Sequence, residues 1–135
     1  MAKVITVGTA VFLTIMMVGV FSLLISLENA KISVLMDGNQ VTIDAAMYDT
    51  NFKESEIQSV RILEKMPEDD FTRTNGGATE KYLIGDFEGK ETGKCMMYLY
   101  RDYTPILEIR LTDKIIYVNS RKQEEVQEWY RTLIE

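Results

Sequence analysis

Residues 114–134 read KIIYVNSRKQEEVQEWYRTLI, and the hydrophobic period changes inside this stretch. Lys114 to Asn119 is a short apolar run, read as a strand. Val126, Trp129, Tyr130, Leu133 and Ile134 then fall at i, i+3, i+4, i+7 and i+8, one stripe of a helix of about three to four turns. Ser120 stands where a helix cap belongs, and Gln123, three residues on, completes a capping-box spacing. The amphipathic helix has to lay its stripe on something, and the open end of a curved sheet is the obvious place, with Trp129 as the largest plug.

Upstream, the period is two. Lys31 to Met36 alternates through Ile32, Val34 and Met36, Asp37-Gly38-Asn39 supplies turn chemistry, and Gln40 to Asp44 alternates again, which predicts a hairpin. Further runs at Glu56–Leu63, Thr79–Phe87, Lys94–Arg101 and Pro105–Leu111 bring the count with Lys114–Asn119 to seven. Pro67 with Glu68-Asp69-Asp70, and then Asn75-Gly76-Gly77, read as a loop between the third and fourth of them. Seven short strands at this spacing predict an antiparallel barrel or sandwich and exclude a parallel sheet with crossover helices.

Strands followed by one carboxy-terminal helix is also the order of the pleckstrin-homology fold. The runs Arg73-Thr74-Asn75-Gly76, Tyr82-Leu83-Ile84-Gly85-Asp86-Phe87, Tyr98-Leu99-Tyr100, Ile116-Tyr117-Val118-Asn119-Ser120 and Trp129-Tyr130-Arg131-Thr132-Leu133 occur in an order that resembles the bacterial pleckstrin-homology-like (PH-like) domains found behind one or more membrane spans. The resemblance implies a mainly β, seven-stranded antiparallel, partly open barrel capped by its helix, acting as a noncatalytic binding module. It carries over no catalytic residues. Phosphoinositide-binding relatives show a basic pattern around the first hairpin, whereas this chain has no Lys or Arg between Lys31 and Lys53, so the charge-assisted headgroup contacts are missing and phosphoinositide binding is not expected.

The amino-terminal part is of another kind. Val4 to Leu27 contains no charged residue. As a helix rising about 1.5 Å per residue it would reach about 36 Å, enough to span a hydrocarbon core of about 30 Å. Residues 1–28 are therefore predicted to be an uncleaved transmembrane anchor, with a PH-like domain at 31–135. A cleaved signal peptide is the competing reading, and Glu28 close before Ala30 makes a poor cleavage site. Lys3 and the free amino terminus on one side predict a cytoplasmic amino terminus and an extracytoplasmic domain.

Charge and composition narrow the function. The chain has 21 acidic and 15 basic residues, a net charge of −6, and Lys3 is the one basic residue outside residues 28–135, which therefore carry −7. A nucleic acid is excluded as the default partner, and an anionic membrane surface is disfavoured. The chain has no His and one Cys, Cys95, so imidazole catalysis, Cys/His zinc sites and an internal disulfide are all excluded. No cofactor is expected.

The remaining candidates read mostly as structure. Cys95 shares a strand face with Met97 and Leu99 and, lacking a base to activate it, reads as a buried small apolar residue. Glu68, Asp69 and Asp70 lack the alternating ligands and tight Gly turn of a calcium loop. Asp86, Glu88 and Glu91 surround a turn and read as surface charges, although a carboxylate-based enzyme is the rival they would serve. Tyr98, Tyr100 and Tyr103 form the one strip that could meet a protein partner if exposed; otherwise that face is core. The sequence thus predicts a membrane-anchored binding module for a protein or envelope component, with peripheral lipid recognition as the alternative.

Overall fold

The computed structural model describes residues 14–18, 31–45, 48–78 and 81–134. The chain divides into two compact units, Met1–Ala30 and Lys31–Glu135. In the first, residues 14–18 are helical and Ile15, Met16, Met17 and Val18 are exposed. The rest of the predicted anchor lies outside the described residues, among which no helix is long and apolar enough to cross a membrane.

The second unit holds nine described strands and a helix: β1(Ile32–Asp37), β2(Gln40–Ala45), β3(Tyr48–Lys53), β4(Ile57–Leu63), β5(Phe71–Ala78), β6(Tyr82–Gly89), β7(Gly93–Tyr100), β8(Ile106–Leu111), β9(Ile115–Val118) and α1(Gln123–Ile134). They form a three-stranded sheet, β1-β2-β3, and a six-stranded sheet, β4-β8-β9-β7-β6-β5. The expected seven antiparallel strands become nine in two sheets that do not close, and β7 pairs with β9 in parallel.

Two strands escaped the sequence reading for physical reasons. β3 (YDTNFK) buries only Phe52, so its alternation is one residue deep. β5 (FTRTNGGA) is an edge strand exposed along almost its whole length, and its Asn-Gly-Gly run mimics a turn. Those glycines serve a close approach instead. Gly76 faces Gly85 of β6, both at positive φ (97° and 144°), and a Cβ on Gly85 would strike the Asn75 carbonyl oxygen and lie 2.7 Å from the Gly76 Cα. The backbones touch there, which side chains would prevent.

The first hairpin follows its sequence. Asp37 pairs with Gln40 across Gly38-Asn39, and Gly38 at φ 62° supplies the left-handed residue of a two-residue turn. Val41, Ile43 and Ala45 bury one face of β2 together with Ile32 and Phe52.

β7 is buried on both faces, and so is most of β9. Apolar side chains on consecutive positions, Ile115-Ile116-Tyr117-Val118, suit a strand sandwiched on both sides and paired in parallel. On one side Phe87, Cys95, Met97, Leu99, Ile106 and Tyr117 form a cluster, covered by Leu63, Met66 and Phe71. The connection from β4 to β5, which are opposite edges of the sheet, thus crosses this face with Met66 as its contact. Asp69 fastens the far end. Its carboxylate accepts from the backbone N–H of Glu91 (3.1 Å) and Thr92 (2.7 Å) in the β6–β7 turn.

Hydrogen bonds from Thr92, with those from the Glu91 and Asp70 amides, hold the Asp69 carboxyl down to about 2. A folded pKa below the unfolded one means that the unfolded chain binds the extra proton as pH falls, so this contribution is complete above about 3.8 and lost through about 2. Acid titration of stability should therefore be shallower in Asp69→Asn than in the wild type across that window. Equal slopes in urea-midpoint measurements would refute the role. The acidic triplet is thus a specific clamp at Asp69, not merely a solvated loop.

α1 buries Val126 and Leu133 and contacts β4 and β8. Trp129 and Tyr130 are half-buried and Ile134 is exposed, so the predicted stripe is narrower than its spacing suggested and Trp129 is not a deep plug. Ser120 accepts from the Lys122 N–H at 3.0 Å, bending the chain just ahead of the helix instead of capping inside it.

Candidate functional site

The three tyrosines singled out from sequence have separate fates. Tyr98 is completely buried, Tyr100 nearly so, and Tyr103 is 42% exposed. Tyr100 and Tyr103 meet edge to face with centroids 6.2 Å apart, and the Arg121 guanidinium lies 4.6 Å from the Tyr100 ring centre. The Tyr100 hydroxyl oxygen accepts from the Ile32 N–H at 3.0 Å, tying the six-stranded sheet to the start of β1. Of the strip, Tyr103 alone offers a surface.

Asn119 organises this corner. Its side-chain oxygen accepts from the Tyr100 N–H (2.7 Å), and its amide donates to the carbonyls of Tyr100 (2.9 Å) and Tyr103 (3.0 Å). A single buried side chain thereby satisfies the backbone where the chain leaves β7 and turns toward β8.

An acidic group lies at the turn end of the β2–β3 hairpin. Asp44 stands directly across from Asp49, and its carboxyl is raised by a hydrogen bond to Asp49, by burial and by the Asp49 charge. Tyr48 donates to Asp86 at 3.4 Å, and burial followed by the Asp86 charge raises the Tyr48 phenol. The buried Tyr98 phenol is pushed up by burial first and then by Asp86 and Asp49. Asp86 is therefore part of an intersheet contact, while Glu88 and Glu91 are surface charges. Among the described residues, no group of three His, Cys, Asp or Glu side chains is placed to hold a metal ion.

Cys95 is buried, and burial followed by the charges of Asp69 and Asp86 pushes its thiol up to about 11. The thiolate is scarce at neutral pH, so iodoacetamide should leave the native chain unmodified and label it once unfolded. Rapid labelling of the native chain at pH 7.5 would contradict this placement.

Of the concavities among the described residues, the one between β1 and α1 is a groove of about 390 Å³. Val34, Leu35 and Met36 line its sheet side, with Lys31 at the end. Trp129 and Leu133 form its helix side, with Glu125 and Glu128 on the rim. It lies where α1, packed on β4 and β8, faces the edge of β1, which among the described residues has no second strand partner. Sequence periodicity missed it, since Leu35 reads as the solvent face of a strand and Trp129 as core; the one signal was an apolar residue at an outward position.

The family model for Bacterial PH domain matches residues 31–134. No curated protein and no solved structure matches the chain. That match runs from just before β1 to the end of α1, taking in both sheets, the Asn119 corner and the groove, and the chain belongs to the bacterial PH domain family.

Proposed function

We propose that this protein is a single-pass membrane protein whose PH domain is a noncatalytic module that binds a protein or envelope component close to the bilayer, on the extracytoplasmic side. The observation that carries the binding role is the open groove between β1 and α1, a concavity lined about equally by apolar and polar side chains with Trp129 in its wall, on a domain of a family that is generally noncatalytic. The charge-free run Val4 to Leu27 supports the anchor, and Lys3 supports the orientation. An anchored domain is confined to a thin layer, which raises its effective concentration for a partner there and lets weak contacts suffice. The net charge of −7 on residues 28–135 opposes adsorption to anionic lipid as the primary role.

Two measurements test this reading. Protease treatment of intact, wall-stripped cells should remove a carboxy-terminal tag; removal only after lysis would reverse the orientation. Photo-cross-linkable residues at exposed Leu35 and Tyr103 should give discrete adducts with an envelope component in living cells. Adducts at neither position would sink the binding role.

A further inference from the structure

The groove has a property that its shape alone does not convey: one wall is a strand edge. Among the described residues β1 pairs with β2 alone, and in an antiparallel ladder the residues alternate between bonding their neighbour and facing away. The Ile32 N–H is satisfied off the sheet by the Tyr100 hydroxyl, which sets the parity. Val34 and Met36, two and four residues on, therefore turn their N–H and C=O groups to the open edge inside the groove.

We infer that this edge takes an extended peptide segment, bonded main chain to main chain with Val34 and Met36, with an apolar side chain against Trp129 and Leu133 and basic side chains against Glu125 and Glu128. This deepens the proposed function and rests on the reading of the domain as a binding module. An extended backbone is the ligand that satisfies a strand edge, since it alone presents donors and acceptors at the matching spacing. A six-residue edge such as β1 spans about 20 Å, the length of a short segment. Every second side chain of the added strand faces the helix side, where an apolar wall and two carboxylates meet it. The complement is therefore a segment in which the side chains on that one face, two residues apart, are apolar and basic in turn. Lys31, at the end of the groove, is the one basic side chain lining it and sets the end that a basic residue avoids.

The chain carries its own reporter, because Trp129 is its single tryptophan. The probe is a capped octapeptide, Lys-Thr-Val-Thr repeated, which presents lysine and valine in turn on one face, titrated into the full chain in nanodiscs of neutral lipid while Trp129 emission is followed. The expected result is a saturable shift. The same peptide with glutamate in place of lysine should bind at least tenfold more weakly, and so should the lysine–valine peptide N-methylated at alternate residues, which keeps charge and apolarity but loses strand pairing. Glu125→Lys with Glu128→Lys, both on the accessible rim, should weaken binding of the lysine–valine peptide at least tenfold. Val34→Pro removes one outward N–H while leaving the β1–β2 ladder intact, and should do the same.

No shift, or equal binding of the N-methylated peptide, would overturn the inference. So would concentration-dependent dimerisation of the free chain that Val34→Pro abolishes, since the edge would then be taken by a second copy. Cellular cross-links from Tyr103 with none from Leu35 would overturn the groove and leave the binding module standing, whereas loss of both would remove the module itself.

Discussion

Replacing Asn119 by Ala should lower the stability of the domain by about 3–5 kcal/mol, read as a fall in the urea midpoint at unchanged slope. The side chain is 1% exposed and serves three backbone groups: the Tyr100 N–H, the Tyr100 carbonyl and the Tyr103 carbonyl. Each buried group left without a partner costs about 1–3 kcal/mol, and the three lie too close together to add fully. Asn119→Asp sharpens the test. It retains an acceptor for the Tyr100 N–H but loses both donors and sets a carboxylate against two carbonyls. At neutral pH it should therefore be no better than Ala. Near-wild-type stability of the Asp variant would show that the amide donors contribute little.

The second large effect concerns Glu108, which was not recognisable from the sequence. Its side chain is 1% exposed, and its Oε1 accepts from Arg61 at 2.8 Å and from Arg110 at 3.1 Å, whereas the arginine side chains are 57% and 46% exposed. The three sit on adjacent strands, with Arg61 of β4 directly opposite Glu108 of β8. The asymmetry in exposure decides what each mutation does. Removing both arginines strands a carboxylate inside the sheet, and Arg61→Ala with Arg110→Ala should cost about 3–5 kcal/mol. Removing the charge by Glu108→Gln leaves two arginines that already reach water, so the cost should be near 1 kcal/mol. Adding Glu108→Leu to the double arginine variant should recover most of the loss, because the stranded charge is then gone. A Glu108→Gln variant as unstable as the arginine pair would refute this account.

Both cases show where sequence reasoning stopped. In the run Leu107-Glu108-Ile109-Arg110-Leu111 strict alternation reads Glu108 and Arg110 as the solvent face, and for Arg110 that holds. Glu108 is buried because the sheet is covered on both sides at that point, partly by the connection through Met66. Nothing in the local spacing of residues 64–70 announces that this connection crosses the sheet. Likewise Tyr98 and Tyr100 alternate as a strip that could have faced either way, and which face was covered depended on β1 to β3, distant in sequence.

Local chemistry by itself determined the elements in which one residue in two or one in three or four is apolar. It determined the β1–β2 hairpin with its Gly38 turn, the run of β6 to β9, the burial of Cys95, the change of period at Ser120 and the family order that residues 31–134 bear out. Those features follow from a few neighbouring residues, because side-chain alternation and turn conformations are local properties of the backbone. Only the tertiary structure decided the parallel pairing of β9, the edge strand β5, the burial of Glu108 and the placing of the β1 edge beside Trp129. Each of these depends on which strand edge or sheet face another segment covers, and that is settled by packing between residues far apart in the chain.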